Sequence, residues 1–459
     1  MIKPFKQTKQ ISTIGPATET VETLQEMIVA GMNVARFNTK HSDPVWHKER
    51  IARVHQAAKQ AGTTVAVLLD LQGPEIRALT PGERTFSIEA GDEIIVTATE
   101  LPGDMPQLIV PAEVVNGLQV GSLFSLADGA CEFKIVRVEN GTAIGQADYS
   151  CEVKHRKTMN TPGLVLDMPS LTERDIQYLD GVDLSQVDFV GLSFVRSVAD
   201  IEHFRAALQE RGSNAAIVAK IENQVALDNL DSIIGASDAV MIGRGDLGVE
   251  VPYEELTYWQ IVIIEKCRFA SKPVITATEM VKSMLTNPRP TRAEISDVGH
   301  SVFDGTDAVM LSDETTIGKY PVKTVAVQSK IAAYTEKKVT STKFKDQLLA
   351  GNTSLQKIVS EVADASQIVI VSDDLELTTQ LAALHLPTPI HQLSTSDVII
   401  RRTQLLFGVT ADVYTGDMND EAAIIEHYKT TGFSNAGDKV AIITMQLSTK
   451  SATTNVVVI

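Results

Sequence analysis

The sequence predicts an α/β fold: a (β/α)₈ barrel that carries an inserted, small all-β domain and is followed by an α/β domain. Eight short runs rich in valine and isoleucine recur between residues 10 and 314, and most gaps between them have helix-like patterning. One gap exceeds a hundred residues and has the pattern of short alternating strands separated by turns. After residue 339, strand-like and helix-like segments alternate again.

The predicted barrel strands are apolar on both faces, as parallel strands are when they are covered on both sides. Gly31 stands where the C-cap of the first intervening helix belongs. In chain order, the predicted strands are QISTI (10–14), NVARF (33–37), VAVLLD (65–70), VDFVGLSF (187–194), AIVAKIE (216–222), DAVMIGRGD (238–246), PVITATE (273–279) and DAVMLSDE (307–314).

The same patterns divide the chain into domains. We predict a barrel domain at 1–78 and 164–338, a β-barrel lid domain at 79–163 and a C-terminal α/β domain at 339–459. The insertion interrupts a barrel loop, which makes it a candidate lid. The predicted C-terminal strands are QIVIVSDD, PIHQLS, ADVYTG, KVAIITM and NVVVI.

The 459 residues have an ordinary globular composition, with 44% hydrophobic and 22% charged residues. The formal net charge of −17 argues against binding of nucleic acid, which needs excess basic charge. Cys131, Cys151 and Cys267 show no CxxC spacing and predict neither a disulfide framework nor a zinc ribbon. With no signal-peptide pattern and no apolar run of membrane-spanning length, we expect a cytoplasmic protein that binds no membrane.

Charged and hydroxyl side chains cluster at the carboxyl ends of the predicted strands, where barrels of this type place their chemistry. Taken as strand residues, Lys220 and Glu222 share one face, and the same spacing aligns Arg244 with Asp246. Glu222 and Asp246 would end adjacent strands about 5 Å apart. Two carboxylates at that separation favour a Mg²⁺ or Mn²⁺ ion between them. The alternative is that each acid pairs with its own neighbouring base.

Eight motifs lie along the barrel in order: STIGPAT (12–18), GMNVARFN (31–38), DLQGPEIR (70–77), AKIEN (219–223), GRGDLGVE (243–250), KPVITATEM (272–280), NPRPTRAEISD (287–297) and MLSDET (310–315). They resemble the motifs of the pyruvate kinase family, which has a TIM barrel with a lid. The resemblance implies transfer of a phosphoryl group from phosphoenolpyruvate to ADP, giving pyruvate and ATP in glycolysis. It also implies Mg²⁺ or Mn²⁺ as cofactor and a homotetramer as the assembly.

The resemblance further implies roles for individual residues. The catalytic residues would be Lys220, Arg36 and Thr278. Phosphoenolpyruvate would be bound by Arg36, Lys220, Gly245, Asp246 and Thr278. The nucleotide would be bound by Pro16, Asn38, His41, Arg77 and Lys157. A proton relay would comprise Thr278, Ser312 and Glu314. The divalent metal would be held by Glu222 and Asp246.

The chain departs from the family at the monovalent-cation site, which the resemblance places at Asn38, Asp70 and Leu71. Lys40 replaces the serine of the family's R-x-N-x-S-H loop, a ligand of that cation in potassium-dependent members. We hypothesise that the Lys40 ammonium occupies or displaces the potassium site, with Asn38 and Asp70 as its partners. Glu75 complicates this hypothesis, because potassium-independent members usually carry a lysine there.

Two other departures from the family, Glu279 and Asp313, add negative charge at the rim of the site.

A further departure from the family lies at 372–376, where the family's sugar-phosphate effector loop should follow the first strand of the C-terminal domain. This chain has SDDLE there, with three acids and no glycine, which makes a poor phosphate site. We therefore expect no activation by fructose bisphosphate.

The residues leave two other functions open. One is a catalytically weakened paralogue with a binding or regulatory role, and the other is a metal-dependent lyase that acts through a pyruvate enolate. All the predicted catalytic and metal-binding residues are retained, which favours a working kinase over the paralogue. The predicted nucleotide-binding residues argue against a lyase, which needs no nucleotide.

Overall fold

The computed structural model describes residues 6–127, 129–164, 168–339, 343–431, 437–446 and 451–458. Its centre is a closed barrel of eight parallel strands, which confirms the predicted fold class. The chain enters the barrel through β1 (Lys9–Thr13), α1 (Val21–Ala30), β2 (Val34–Asn38), α2 (Pro44–Gln60) and β3 (Ala66–Asp70).

An all-β insertion with one short helix follows β3, as the long gap in the pattern predicted. Its elements are β4 (Arg77–Ala78), β5 (Phe86–Ile88), β6 (Glu93–Thr97), β7 (Gln107–Ile109), α3 (Ala112–Gly117), β8 (Leu123–Leu126), β9 (Cys131–Glu139), β10 (Thr142–Ala147), β11 (Cys151–Val153) and β12 (Lys157–Asn160). Seven strands form one sheet in the order β4-β12-β8-β9-β10-β6-β7, and β11 pairs with β5. Because β4 pairs with β12, the insertion leaves and rejoins the barrel through one two-stranded hinge.

The chain then completes the barrel, whose strands follow the order β1-β17-β16-β15-β14-β13-β3-β2 around the ring. Each predicted barrel run overlaps one of these strands. The remaining elements are α4 (Glu173–Gly181), β13 (Phe189–Leu192), α5 (Val198–Glu210), β14 (Ala216–Ile221), α6 (Gln224–Asp228), α7 (Leu230–Ala236), β15 (Ala239–Gly243), α8 (Arg244–Glu250), α9 (Leu256–Phe269), β16 (Val274–Ala277), α10 (Arg292–Asp304), β17 (Ala308–Leu311), α11 (Asp313–Thr316) and α12 (Pro321–Thr335).

The C-terminal part forms a separate five-stranded sheet in the order β20-β19-β18-β21-β22, and each strand overlaps one of the five predicted segments. Its last strand is antiparallel to its neighbour, whereas the other pairs are parallel. The elements are α13 (Lys343–Leu349), α14 (Thr353–Glu361), β18 (Gln367–Val371), α15 (Glu376–Ala383), β19 (Ile390–Ser394), α16 (Asp397–Arg402), β20 (Val409–Val413), α17 (Glu421–Thr431), β21 (Lys439–Gln446) and β22 (Ser451–Val458).

This C-terminal part closes the amino-terminal end of the barrel. Leu405 is 1% exposed and packs with the interior side chains of the barrel strands, among them Ile11 and Leu68. The Lys9 ammonium donates to the carbonyl oxygen of Val409, and burial lowers the pKa of Lys9 to about 8. The barrel interior is therefore a packed core, and chemistry is confined to the opposite end, where the strands finish.

Candidate active site

Arg36 and Asp70 lie at the carboxyl ends of the neighbouring strands β2 and β3. Arg36 Nε donates to Asp70 Oδ2 at 2.7 Å, and Arg36 Nη1 donates to Thr13 Oγ1 at 2.8 Å. Asp70 faces Gly191 on the adjoining strand β13, where a Cβ atom would lie 2.7 Å from Asp70 Oδ1. The absence of a side chain at Gly191 therefore leaves the space that this buried carboxylate fills.

Lys220, on β14, extends toward the same carboxylate. Its Nζ donates to Ser193 Oγ at 2.7 Å and lies 2.8 Å from Glu222 Oε1 and 3.4 Å from Asp70 Oδ1. Ser193 Oγ in turn donates to the carbonyl oxygen of Leu71 at 2.7 Å. The ammonium is thus held by a hydroxyl and two carboxylates, all of them buried.

These contacts make a charge-balanced cluster of two cations and two carboxylates. Burial by itself would lower the pKa of Lys220, but the charges of Asp70 and Glu222 raise it above its ordinary value. Burial likewise opposes ionisation of Asp70, but Lys220 and Arg36 hold its pKa below the usual range. We conclude that Lys220 and Asp70 are charged at neutral pH, and that their contacts fix the Lys220 ammonium beside the Arg36 guanidinium at the open end of the barrel.

The prediction that Arg244 and Asp246 share a strand face is wrong. Strand β15 ends at Gly243 and helix α8 begins at Arg244, so the two residues are two helical positions apart and about 200° of rotation separates their side chains. Arg244 forms a bidentate ion pair with Asp297, with N–O distances of 2.7 and 2.8 Å. The first turn of α8 instead places Asp246 near Glu222, where burial and then the charge of Glu222 raise the pKa of Asp246 to about 7.

The alternative to a metal between Glu222 and Asp246 was that each acid pairs with its neighbouring base. This alternative is correct for only one of the two acids. Glu222 does contact Lys220, at 2.8 Å. Asp246 does not pair with Arg244, because the Arg244 guanidinium is bound to Asp297. Asp246 is thus left without a basic partner and has the charge of Glu222 acting on it, while a divalent metal between the two acids stays a prediction.

Thr278 follows the end of β16 in a strained backbone conformation. Its φ is +74° and that of Glu279 is +56°, a region that residues other than glycine rarely adopt. Arg244 Nη2 donates to the Thr278 carbonyl oxygen at 2.6 Å and so holds this turn. A Cβ atom on Gly245 would lie 3.0 Å from Thr278 Cγ2, so the two residues are close. The carboxylate of Glu279 pairs with Lys282, which offsets its charge.

Glu314 is buried beside the Thr278 turn. Its carboxylate accepts hydrogen bonds from the backbone amides of Ser312, at 2.8 Å, and Val281, at 3.3 Å. Burial raises the pKa of Glu314. The relay through Thr278, Ser312 and Glu314 stays a prediction, since these bonds join Glu314 to the backbone and not to the two hydroxyl groups.

The predicted nucleotide residues come from two parts of the rim. Arg77 and Lys157 lie on the paired hinge strands β4 and β12. Pro16 is exposed after β1, and Asn38 ends β2. The pKa of His41 is lowered by burial and then by the charges of neighbouring groups, among them Arg77. This places His41 within electrostatic range of the hinge, while nucleotide binding at these residues stays a prediction.

Lys40 does not have the partners that the sequence suggested. Its ammonium donates to Glu75 Oε1 at 2.7 Å instead of contacting the side chains of Asn38 and Asp70. Asp70 is engaged by Arg36 and Lys220, and Asn38 Oδ1 accepts the backbone amide of Lys40 at 3.0 Å. Glu75, which complicated the hypothesis, is therefore the ion-pair partner of Lys40, and its other oxygen binds Arg77 Nη2 at 2.7 Å.

The 372–376 segment supports the expectation of no phosphate effector. The carboxylate of Asp373 accepts hydrogen bonds from the hydroxyls of Ser394 and Thr395, both at 2.6 Å, and Asp374 accepts the amide of Glu376. These local donors are used by the acids, and the acids would repel a phosphate. We expect the saturation curve for phosphoenolpyruvate to be unchanged by fructose bisphosphate, and a clear leftward shift would contradict this.

Three groups that form hydrogen bonds in the site were either not predicted from the sequence or were given no role there. Thr13, the last residue of β1, orients Arg36, and a hydroxyl at a strand end was the signal that could have found it. Ser193 was placed at the rim, but its bridge between Lys220 and a carbonyl oxygen could not be foreseen. The backbone amide of Phe194 donates to Glu222 at 3.0 Å, and a backbone donor leaves no trace in a residue pattern.

Comparison with known proteins agrees with this geometry. The family model described as the pyruvate kinase barrel domain matches residues 5–325. The chain is 36% identical to the pyruvate kinase of Bacillus licheniformis, an alignment that covers 98% of this chain and 80% of that protein. The chain belongs to the pyruvate kinase family. Relatives of this family with similar coverage include the pyruvate kinase of Geobacillus stearothermophilus, also 36% identical over 95% of this chain and 77% of that protein.

A solved pyruvate kinase structure extends the agreement to the whole architecture. The crystal structure of the pyruvate kinase from Cryptosporidium parvum superposes with a TM-score of 0.92 at 29% identity, covering 98% of this chain and 96% of that chain. The barrel, the insertion and the C-terminal sheet of this chain are thus those of a pyruvate kinase, and the comparisons support pyruvate kinase activity.

Proposed function

We propose that the chain transfers the phosphoryl group of phosphoenolpyruvate to ADP, with Arg36 and Lys220 as the cations that bind that group. The observation that carries this proposal is the bridge made by Asp70, which lies 2.6 Å from Arg36 and 3.4 Å from Lys220. A phosphoryl group in transfer spreads negative charge over its oxygens, and cations that are already fixed stabilise that charge with little reorganisation.

Glu222 and Asp246 are the proposed ligands of a divalent cation. Two carboxylates plus substrate and water oxygens suit Mg²⁺ or Mn²⁺. A cation there would counteract both the burial and the charge of Glu222, which together raise the pKa of Asp246. Within the described ranges, no group of three or more His, Cys, Asp or Glu forms a self-sufficient metal site. When bound, such an ion would supply Lewis-acid stabilisation of charge on the substrate.

The remaining roles follow the same geometry. Thr278 would pass a proton toward the methylene carbon of the substrate, and Glu314 would assist it, because a threonine hydroxyl is too weak an acid to act alone. Gly245, which lies against Thr278, would leave room for the substrate. The lid at 79–163, hinged on β4 and β12, would close over the nucleotide and exclude water. The lid would close against a body formed by two domains, the barrel at 1–78 and 164–338 and the C-terminal domain at 339–459.

We propose a cytoplasmic location, because phosphoenolpyruvate and ADP are water-soluble metabolites of glycolysis. Among the described helices, none is long and apolar enough to cross a membrane. The net charge of −17 is the basis for proposing that nucleic acid is not a partner.

A coupled assay tests the proposed function directly. The chain is incubated with phosphoenolpyruvate, ADP and Mg²⁺, and pyruvate is followed through its reduction by an added lactate dehydrogenase. We expect pyruvate to form only when all three are present. An absence of turnover at saturating substrates would leave the weakened paralogue and the lyase as the remaining functions, and ADP-independent release of pyruvate would favour the lyase.

We expect catalysis to need no potassium. Lys40 brings a fixed positive charge to Glu75, and protein donors already engage Asn38 Oδ1 and the Leu71 carbonyl oxygen. The rate should therefore be the same in KCl and in tetramethylammonium chloride at equal ionic strength. Lys40→Ser should acquire activation by K⁺ of about tenfold, equivalent to ~1.4 kcal/mol of lost electrostatic stabilisation.

The control for the potassium experiment is Lys48→Ser, which removes an exposed lysine of α2. It should leave the salt response of the parent protein unchanged. Strong activation of the unmodified protein by K⁺ would contradict the proposal that Lys40 replaces the cation.

We propose that the chain forms a homo-oligomer, as the family precedent of a tetramer suggests. In a groove between α10 and α12, the side chains of Ile295, Phe303 and Tyr334 are 42%, 52% and 68% exposed. They form an apolar face that a second copy would cover.

Light scattering should give a mass of at least twice the 49.7 kDa of one chain, and Phe303→Glu should lower that mass. Val138→Glu, a matched change on the lid, should not. A monomer at micromolar concentration would contradict the proposal.

A further inference from the structure

Two of the three cysteines lie side by side in the lid. Cys131 begins β9 and Cys151 begins β11. Cys131 Sγ contacts the carbonyl oxygen of Glu152 at 3.6 Å, and the amide of Asp148 donates to the carbonyl oxygen of Glu132 at 3.0 Å. The segment that contains Cys151 therefore runs along the segment that contains Cys131.

The two thiols differ in exposure and are both free. Cys131 is 1% exposed, whereas Cys151 is partly accessible to solvent. Burial raises the pKa of Cys131 to about 12, and a hydrogen bond with the Cys151 thiol contributes to that shift. The 3.6 Å contact of Cys131 Sγ with Glu152, the residue that follows Cys151, agrees with this proximity. Cys267, by contrast, is buried in the barrel core.

We propose that Cys131 and Cys151 are a modification site at which a low-molecular-weight disulfide converts the two thiols into an intramolecular disulfide. The accessible thiol reacts first and the buried one second, the usual order for a reactive cysteine with a resolving partner. This inference goes beyond the proposed kinase function and does not depend on it.

The reaction proceeds in two exchange steps. The sulfur of Cys151 attacks one sulfur of the small disulfide, breaks its S–S bond and releases one small thiol. The sulfur of Cys131 then attacks Cys151 in the mixed disulfide and releases the second small thiol. The chain loses two hydrogen atoms, which leave as the protons of the two released thiols, and the small disulfide is reduced.

The new bond would join two separate parts of the lid. Strand β9 belongs to the seven-stranded sheet, whereas β11 pairs with β5 in a separate two-stranded sheet. The turn before Cys131 is itself tied to the segment before Cys151, because Tyr149 Oη donates to the Gly129 carbonyl oxygen at 2.5 Å. Gly129 also approaches Val249 of α8, since a Cβ atom on the glycine would lie 3.2 Å from Val249 Cγ1. The cross-link would thus stiffen the part of the lid that meets the helix bearing Asp246.

The test uses the full-length native protein and oxidised glutathione as the probe. After incubation, free thiols are blocked with iodoacetamide, and the protein is analysed by intact mass and by peptide mapping without reduction. We expect loss of two of the three thiols, a peptide pair linked through Cys131 and Cys151, and full recovery of the thiols with dithiothreitol.

Two variants separate this reaction from unspecific oxidation. Cys131→Ser should stop at one glutathione adduct on residue 151, because the resolving thiol is gone. Cys151→Ser should keep both remaining thiols, because Cys131 and Cys267 are buried. Three titratable thiols in the treated parent protein, a stable glutathione adduct without the internal bond, or a bond that involves Cys267 would each overturn the proposal. The analysis of the parent protein stands even if a variant fails to fold.

Discussion

Replacement of Lys220 by methionine is expected to lower the turnover of pyruvate formation by about a thousandfold or more, since removing one fixed electrostatic group from an active site costs on that order. The side chain is 12% exposed, and its ammonium contacts Ser193, Glu222 and Asp70. Methionine has a similar length but no charge, so the transferring group loses one of its two cations. The buried carboxylates of Asp70 and Glu222 also lose their counter-charge, which adds repulsion against an anionic substrate.

The measurement is the coupled assay, with kcat and KM for phosphoenolpyruvate determined separately. Lys266→Met is a matched control, because Lys266 forms an exposed ion pair with Asp231 on the outside of the barrel. The control should retain the activity of the parent protein, and the far-ultraviolet circular dichroism of both variants should show a folded barrel. Near-normal kcat in a folded Lys220→Met protein would remove Lys220 from the mechanism.

Replacement of Glu222 by glutamine is expected to weaken binding of the divalent cation by more than about a hundredfold, because even residues that only orient metal ligands contribute 10–100-fold. Glutamine keeps the size of the side chain and can still accept from Lys220, but it removes one of the two charges that face the proposed cation. In glutamine one of the two oxygens becomes an NH₂ donor, so Lys220 and the Phe194 amide no longer each face an acceptor oxygen, as they do at Oε1 and Oε2 of the carboxylate.

Binding of Mn²⁺ followed by electron paramagnetic resonance checks this prediction without relying on activity. The same variant should need correspondingly more Mg²⁺ in the coupled assay. Glu210→Gln, an exposed acid at the end of α5, serves as the control and should bind Mn²⁺ like the parent protein. Unchanged Mn²⁺ affinity in the Glu222→Gln protein would show that the cation lies elsewhere.

The barrel and its order could be predicted because buried parallel strands leave a strong pattern of uninterrupted apolar runs. The carboxyl ends of these runs also predicted which charged residues lie together at one end of the barrel. Helix α8 could not be predicted in the same way, because GRGDLG directly continues the apolar run of β15 and its glycines favour no helix. The prediction placed Asp246 near Glu222, which agrees with the effect of the Glu222 charge on Asp246. It also placed Asp246 at the end of a strand, which is wrong, because the residue lies in the first turn of α8.

Pairing between side chains was the least predictable feature. Lys40 and Glu75 lie on loops after different strands, and several carboxylates are within reach of a flexible lysine. The choice among them depends on the space left by neighbouring side chains and on bonds already made, such as those that occupy Asp70. Strand order fixes which loops are adjacent, but it does not fix which of their side chains meet.

The leucine at the amino-terminal end of the barrel has a consequence for how the chain matures. Leu405 is synthesised long after β17, the last strand of the barrel. Until then, the apolar amino-terminal end of the nascent barrel lacks the side chain that covers it in the folded protein. A chain that stopped before residue 405 would therefore leave this apolar end exposed to water, which favours aggregation.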